Sequence, residues 1–169
     1  MIRIGIFYDG TFFWRISNHY KHRHERSSYL SIDGLHDFIR ARVARLETDG
    51  NADLCKITEA HFFRGRFSLK SVQAMKDPVK QLEVDRFQDQ ILMHSSIVAH
   101  YHPMNEALDP PEEKGIDVWM ALEAYDLAAH KNVDSATNIG SHHPLPMFTQ
   151  DRHYLVRSKK PFPLLLITG

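Results

Sequence analysis

Short apolar segments alternate with longer segments of helical periodicity through the first 131 residues. Residues 2–8 are apolar and largely β-branched, and they end at Asp9 and Gly10, as a buried strand does. The segments predicted after it are, in chain order, helix 35–46, strand 52–63, helix 77–93, strand 97–101 and helix 116–131. Strands that alternate with helices form βαβ units. The sequence therefore predicts an α/β fold, with three αβα layers around a mostly parallel sheet.

Two parts of the chain have no clear period. Residues 15–31 are polar, basic and rich in histidine, which predicts a loop or an irregular helix. From residue 135 onward, only residues 145–149 and 161–168 have the composition of short strands. Because 169 residues are about one domain's worth, we expect a single domain over residues 1–169, with an atypical segment at 135–169.

Charge is balanced overall but uneven along the chain. The 21 basic and 21 acidic residues cancel, which argues against a polyanion binder that works by bulk charge but permits a local patch. Residues 15–45 carry a net charge of +4, whereas residues 105–134 carry −6. A basic region beside an acidic one suits a metal-dependent nuclease, since one binds phosphate and the other binds the ion. An ordinary surface of mixed charge has the same composition.

The chain has one cysteine, Cys55, which excludes a disulfide framework. Its first residues lack the apolar segment and cleavage site of a signal peptide. No apolar run reaches the roughly 18 residues that a membrane span needs. We therefore expect a cytoplasmic protein with no membrane partner.

Three aspartates are candidates for chemistry. Asp9 follows the first predicted strand, Asp151 follows the strand predicted at 145–149, and Asp117 begins the helix at 116–131. Ligands of open parallel sheets bind beyond the carboxyl ends of the strands, where such carboxylates would lie. Oxygen ligands of this kind suit Mg²⁺ or Mn²⁺, which can assist in-line phosphoryl displacement.

Each aspartate also has a purely structural interpretation. Asp9 fits a turn, Asp117 fits a carboxylate at a helix start, and for Asp151 a surface loop is favoured. Glu123 lies six residues after Asp117, about 240° around a helix, so the two share an ion only if Asp117 lies in the first turn.

Residues 61–67 interleave basic and aromatic side chains, as single-strand RNA binders do. For Phe62 and Phe63 the favoured interpretation is a core strand that ends in a basic turn. Arg64 and Arg66 are the better candidates for RNA contact.

Two blocks of this sequence resemble the NYN domain, a branch of the PIN-like metal-dependent ribonucleases. One is residues 4–10, Ile-Gly-Ile-Phe-Tyr-Asp-Gly. The other is residues 113–128, which begins Glu-Lys-Gly-Ile-Asp-Val and is similar to the family's Lys-Gly-Val-Asp-Val followed by a helix. The resemblance covers residues 1–134 and implies a PIN-like fold. It also implies metal-site roles for Asp9 and Asp117, and for Glu123 as a further acid.

The rest of the chain departs from that family. The family next has a strand that ends in Gly-Asp-x-Asp, which residues 135–146 do not resemble. The nearest match is at residues 149–157, where Asp151 keeps one acid and His153 replaces the second. We expect a divalent-metal-dependent ribonuclease in which Asp9, Asp117 and Asp151 are catalytic, with Glu123 as a further metal ligand. In this interpretation Arg64, Arg66 and Lys114 bind the RNA. The alternative is a catalytically degenerate module of the same fold that binds RNA or protein.

Overall fold

The computed structural model describes residues 1–25, 27–130 and 133–140, and the backbone of residues 164–167. Five strands and five helices follow in the order β1 (Ile2–Asp9), α1 (Gly10–Arg23), α2 (Ile32–Glu47), β2 (Cys55–Arg66), α3 (Leu69–Ala74), α4 (Pro78–His94), β3 (Val98–Pro103), α5 (Ile116–His130), β4 (Ser135–Ile139) and β5 (Leu164–Ile167).

The five strands form one parallel sheet in the order β3-β2-β1-β4-β5. The chain runs outward from β1 through β2 to β3 and then returns to the other side of β1 for β4 and β5. The strand order therefore reverses between β1 and β4. In open α/β sheets, ligands bind at the carboxyl ends of the strands at such a reversal.

Helices cover both faces of the sheet, which confirms the predicted three-layer αβα architecture. Alternate residues of β1 point to opposite faces, as in any strand. Ile4, Ile6 and Tyr8 pack in a core with residues of α1, α2 and α4, whereas Phe7 packs in a second core with Ile116 of α5. The sequence of a strand that is buried on both faces is a nearly continuous apolar run. For this reason β1 could be predicted from the sequence.

Two predictions of secondary structure need correction. The loop or irregular helix predicted at residues 15–31 is wrong for residues 15–23, because α1 is a regular helix that begins at Gly10 and ends at Arg23. It is confirmed for residues 27–31, which form a loop before α2. The start of α1 is fixed by Asp9, whose side chain accepts the Phe12 N–H, and Phe13 and Ser17 face inward one helical turn apart.

The second correction concerns β4. The sequence of residues 135–139, Ser-Ala-Thr-Asn-Ile, did not resemble a strand, yet it pairs with β1 from Ile4 to Tyr8. Four of its five residues are buried, because the strand lies between β1 and β5 in the sheet. A buried strand that is half polar carries no apolar signal. The short strand predicted at 161–168 is confirmed as β5, and the one at 145–149 lies outside the described residues.

Among the described residues, no helix combines the length and apolar composition needed to cross a lipid bilayer.

Candidate active site

Asp9 is the last residue of β1, at the position where the strand order reverses. Its carboxylate Oδ1 accepts a hydrogen bond from the Phe12 N–H over 2.9 Å and thereby caps helix α1. The end of β4 passes close beside it, since a Cβ on Gly140 would lie 3.3 Å from the Asp9 Cβ. The aspartate predicted from its place after the first strand is therefore at the expected edge of the sheet.

The electrostatic environment of Asp9 disfavours its charge. Burial raises the pKa of its carboxyl, and the negative charges of Glu113 and Asp117 raise that pKa further. The N–H groups of Phe12 and Thr11 act in the opposite direction. A cation bound at Asp9 would offset the repulsion that Glu113 and Asp117 exert on this carboxylate.

Glu113 is fixed in this group by two hydrogen bonds. Its Oε1 accepts one from the Thr11 hydroxyl and one from the Gly65 N–H, each over 2.8 Å. These bonds tie the segment before α5 to the start of α1 and to the end of β2. Sequence reasoning did not single out Glu113 as a site residue. Its position beside the Lys-Gly-x-Asp motif is the only signal it gives.

Asp117 lies in the first turn of α5 and is exposed. The sequence allowed Asp117 and Glu123 to share an ion only with Asp117 in this first turn. The turn that precedes it contains Gly115, whose φ of +79° belongs to the left-handed region that glycine adopts readily. Lys114, just before that glycine, is exposed to solvent.

The charge of Glu123 acts on a different group. That group is His100, a residue of β3. His100 Nε2 is 2.8 Å from His61 Nδ1, and the other ring nitrogen of His61 is 3.2 Å from the Glu59 carboxylate. The charges that shift the pKa of Asp9 come from Glu113 and Asp117 instead. This separation agrees with the rotation expected between positions 117 and 123. Asp151 lies outside the described residues.

Asn138 adds a neutral oxygen near Asp9. Its Oδ1 is buried and has no hydrogen-bond partner within the described part of the chain. A Cβ on Gly140 would lie 3.3 Å from that oxygen and 3.3 Å from the Asp9 Cβ, so both groups border the same glycine. A buried amide oxygen without a partner is costly unless something binds it.

The donor set around Asp9 consists of oxygens. Within the described ranges, no three His, Cys, Asp or Glu side chains stand close enough together to enclose a metal ion. Mg²⁺ is usually bound through only one or two carboxylates and keeps several of its waters. Asp9 and Asp117, with the Asn138 oxygen nearby, are oxygen donors of the kind that a hydrated hard cation takes.

Asp9, Glu113 and Asp117 together are called the acidic centre below. A cavity of about 540 Å³ adjoins it at Glu113. Thr11 and Glu113 lie on its wall, and Arg15, Arg64 and Arg66 line it as well. The two arginines predicted to contact RNA thus lie together in one concave surface, because the end of β2 forms part of its wall. Arg15 was missed because its segment was predicted as a loop.

The phenylalanines beside these arginines have no access to a ligand. Phe62 and Phe63 are fully buried, one in each core. The interpretation as a core strand is therefore confirmed for them. The prediction that the arginines lie in a turn after this strand was wrong. β2 continues to Arg66, so both arginines belong to the strand itself.

Comparison with known proteins adds no relative: no protein-family model, curated protein or solved structure matches this chain. The resemblance to the NYN domain stays a prediction that rests on the two sequence blocks.

Proposed function

We propose that this protein is a divalent-metal-dependent ribonuclease that hydrolyses phosphodiester bonds of RNA. The observation that carries the proposal is the position of Asp9. Its partly buried carboxylate ends β1 at the reversal of strand order and is repelled by the carboxylates of Glu113 and Asp117. A cavity lined by arginines opens beside this group. Acidic groups for an ion next to basic groups for phosphate are what such a reaction requires.

In this proposal Asp9 and Asp117 hold Mg²⁺ or Mn²⁺. When bound, such an ion supplies an activated water and offsets the charge that develops on the phosphate. Asp151 remains a predicted third ligand. We leave Glu123 out of the ligand set, since its charge acts on His100.

The remaining groups orient the RNA and the carboxylates. Glu113, fixed by Thr11 and Gly65, holds the segment that leads to Asp117. Arg64 donates a hydrogen bond to the neutral side chain of Gln88 and so keeps its positive charge for a phosphate. Lys114 is exposed beside the acidic centre and can neutralise a neighbouring phosphate.

The test is cleavage of a labelled RNA of mixed sequence by the purified full chain with Mn²⁺. We expect cleavage that EDTA abolishes and that Asp9→Asn and Asp117→Asn each reduce below detection. Asp77→Asn is the matched control, because Asp77 caps helix α4 as Asp9 caps α1. Cleavage by Asp9→Asn at the wild-type rate would overturn the proposal. Asp151→Asn in the same assay tests the predicted third ligand.

A second candidate is a module of the same fold that binds RNA without cleaving it. It is favoured by the absence, among described residues, of three side chains close enough to enclose an ion. RNA binding that is unchanged by EDTA, together with no cleavage by a folded protein, is the result expected of this candidate.

We propose the cytoplasm as the compartment of this activity, since a chain with one cysteine lacks the disulfide framework common in small secreted proteins.

A further inference from the structure

The cavity beside the acidic centre has the size and position of a ligand site. Its volume of about 540 Å³ lies within the roughly 300–1,000 Å³ typical of small-molecule pockets. One wall, formed by Thr11 and Glu113, is shared with the acidic centre. Gln81, Asp85 and Gln88 of α4 and Tyr101 of β3 form other parts of the wall. A ligand that fills the cavity therefore contacts Thr11 and Glu113, and the charge of Glu113 acts on Asp9.

A rigid stacked pair forms part of the wall. The Arg66 guanidinium lies over the Tyr101 ring, with its central carbon 3.6 Å from the ring centroid. Asp89 holds both partners: its oxygens accept from the same Arg66 nitrogen over 2.8 and 3.0 Å, and one of them accepts the Tyr101 hydroxyl. Burial, together with the hydrogen bond to Asp89, raises the pKa of Tyr101, so the phenol keeps its proton.

A guanidinium is planar and has two faces. The Tyr101 ring covers one face of Arg66, whose side chain is still 32% exposed and lines the cavity. The ion pair with Asp89 offsets the charge of Arg66 and fixes its plane. This arrangement makes the group better suited to stack on a flat ring than to bind phosphate.

Neighbouring side chains offer both donors and acceptors to such a ring. Gln88 uses its Oε1 to accept from Arg64, and its amide nitrogen makes no hydrogen bond to any described residue. Gln81 donates to Asp85 over 3.0 Å, which leaves the Gln81 carbonyl oxygen as an acceptor. All of these residues line the cavity. Mixed donors and acceptors around a planar stacking surface match the edge of a nucleobase.

We propose that the cavity binds one unpaired nucleotide of the RNA strand, with its base stacked on Arg66 and its phosphate held by Arg15 and Arg64. The inference rests on the proposed function, which supplies RNA as the ligand. It adds a substrate class: single-stranded RNA, or RNA with an unpaired base at the cleavage site. A base within a duplex is stacked on its neighbours, so it has to leave the helix before it can enter a pocket.

The test is equilibrium binding of a short labelled RNA to the full chain in EDTA, so that no strand is cut. We expect the single strand to bind more tightly than the same strand in a duplex. Arg66→Ala and Tyr101→Ala should each weaken single-strand binding about tenfold, as the loss of one stacked base does. Tyr101→Phe keeps the ring and should bind within about twofold of wild type.

A second measurement follows the base itself. An RNA with one 2-aminopurine should change its fluorescence on binding to wild type and to Tyr101→Phe, but not to Arg66→Ala. This comparison stays informative if Tyr101→Ala does not fold. Equal affinity for single strand and duplex would overturn the inference, and so would unchanged single-strand binding by Arg66→Ala.

These outcomes are distinct from those that test cleavage. Metal-dependent cleavage with no effect of Arg66→Ala on binding would leave the proposed function in place and remove the nucleotide pocket. Loss of single-strand binding in Arg66→Ala, with no cleavage by wild type, would support the pocket and remove the nuclease.

Discussion

The Glu113 carboxylate accepts a hydrogen bond from the Gly65 N–H over 2.8 Å, and its side chain occupies the space where a Cβ of residue 65 would be. Such a Cβ would lie 2.6 Å from the Glu113 Cγ and would also meet the sulfur of Met104. Glycine at this position thus lets the segment that leads to α5 pack against the end of β2. The acidic centre depends on that close approach, because the Glu113 charge reaches Asp9 from there.

Gly65→Ala should displace Glu113 and loosen the segment that leads to Asp117. We expect a loss of about 1–3 kcal/mol in the free energy of unfolding, as for other overpacked sites. Cleavage should fall by a larger factor than this loss of stability explains at a temperature where the variant is folded. Denaturant unfolding and the cleavage assay measure the two effects. Gly34→Ala is the control, since a Cβ there meets only Ser31 at an ordinary 3.5 Å. Wild-type cleavage by Gly65→Ala would show that Glu113 is not needed.

Asp9→Asn should raise the thermal midpoint of unfolding while it abolishes cleavage. Burial and two neighbouring carboxylates raise the pKa of Asp9, so the folded state disfavours its charge. Asparagine removes the charge and remains a good helix cap. The wild-type protein should approach the variant in stability as the pH falls through the raised pKa toward the ordinary value of 3.8, because the carboxyl then becomes protonated. Asp77→Asn, which also replaces a capping aspartate, should bring no such gain.

Mn²⁺ should stabilise the wild-type protein against heat. A ligand that binds only the folded state stabilises it by about 2.7 kcal/mol at a concentration of 100 Kd. Differential scanning fluorimetry over a Mn²⁺ titration measures this shift. It should be retained in Asp77→Asn and lost in Asp9→Asn and Asp117→Asn. An equal shift in all four proteins would mean that the ion binds elsewhere.

The stability of the fold should decline below about pH 6.5 in part through His100. Burial lowers the pKa of this histidine, and the nearby His61 lowers it further, while Glu123 raises it. A base whose pKa is lower in the folded state binds fewer protons there than when unfolded. Its stabilising effect is therefore lost as the pH falls below the ordinary value of 6.5. His100→Gln should flatten the profile of unfolding free energy against pH in that window. Glu123→Gln should increase the decline, because it removes the charge that favours the protonated ring.

The parts of the fold that were predictable carry strong apolar patterns. The run at residues 2–8 was recognised because its strand is mostly buried, and the helix at 116–131 because its apolar residues recur at helical spacing. In contrast, β4 contains Ser135 and Thr137, which are polar yet fully buried. Their burial follows from the position of the strand beside β1. The sequence of residues 135–139 alone does not show which distant segment the strand will pair with.

The candidate site was predictable only in its carboxylates at element ends. Asp9 and Asp117 follow from their place after a strand and at a helix start. Glu113 was missed, because its role depends on hydrogen bonds to Thr11 and Gly65 across long separations in sequence. The stacking of Arg66 on Tyr101 was missed for the same reason, because it requires that β2 and β3 lie side by side.

In the described sheet, β3 is an edge strand and pairs with β2 alone. The outer backbone groups of an edge strand can recruit a strand from another molecule, which is a common start of aggregation. This edge is short, with six residues, and it ends at Pro103, which has no N–H to donate. The polar rings of His100 and His102 further reduce its apolar character. On this side the sheet thus ends in a strand that is a poor template for self-association.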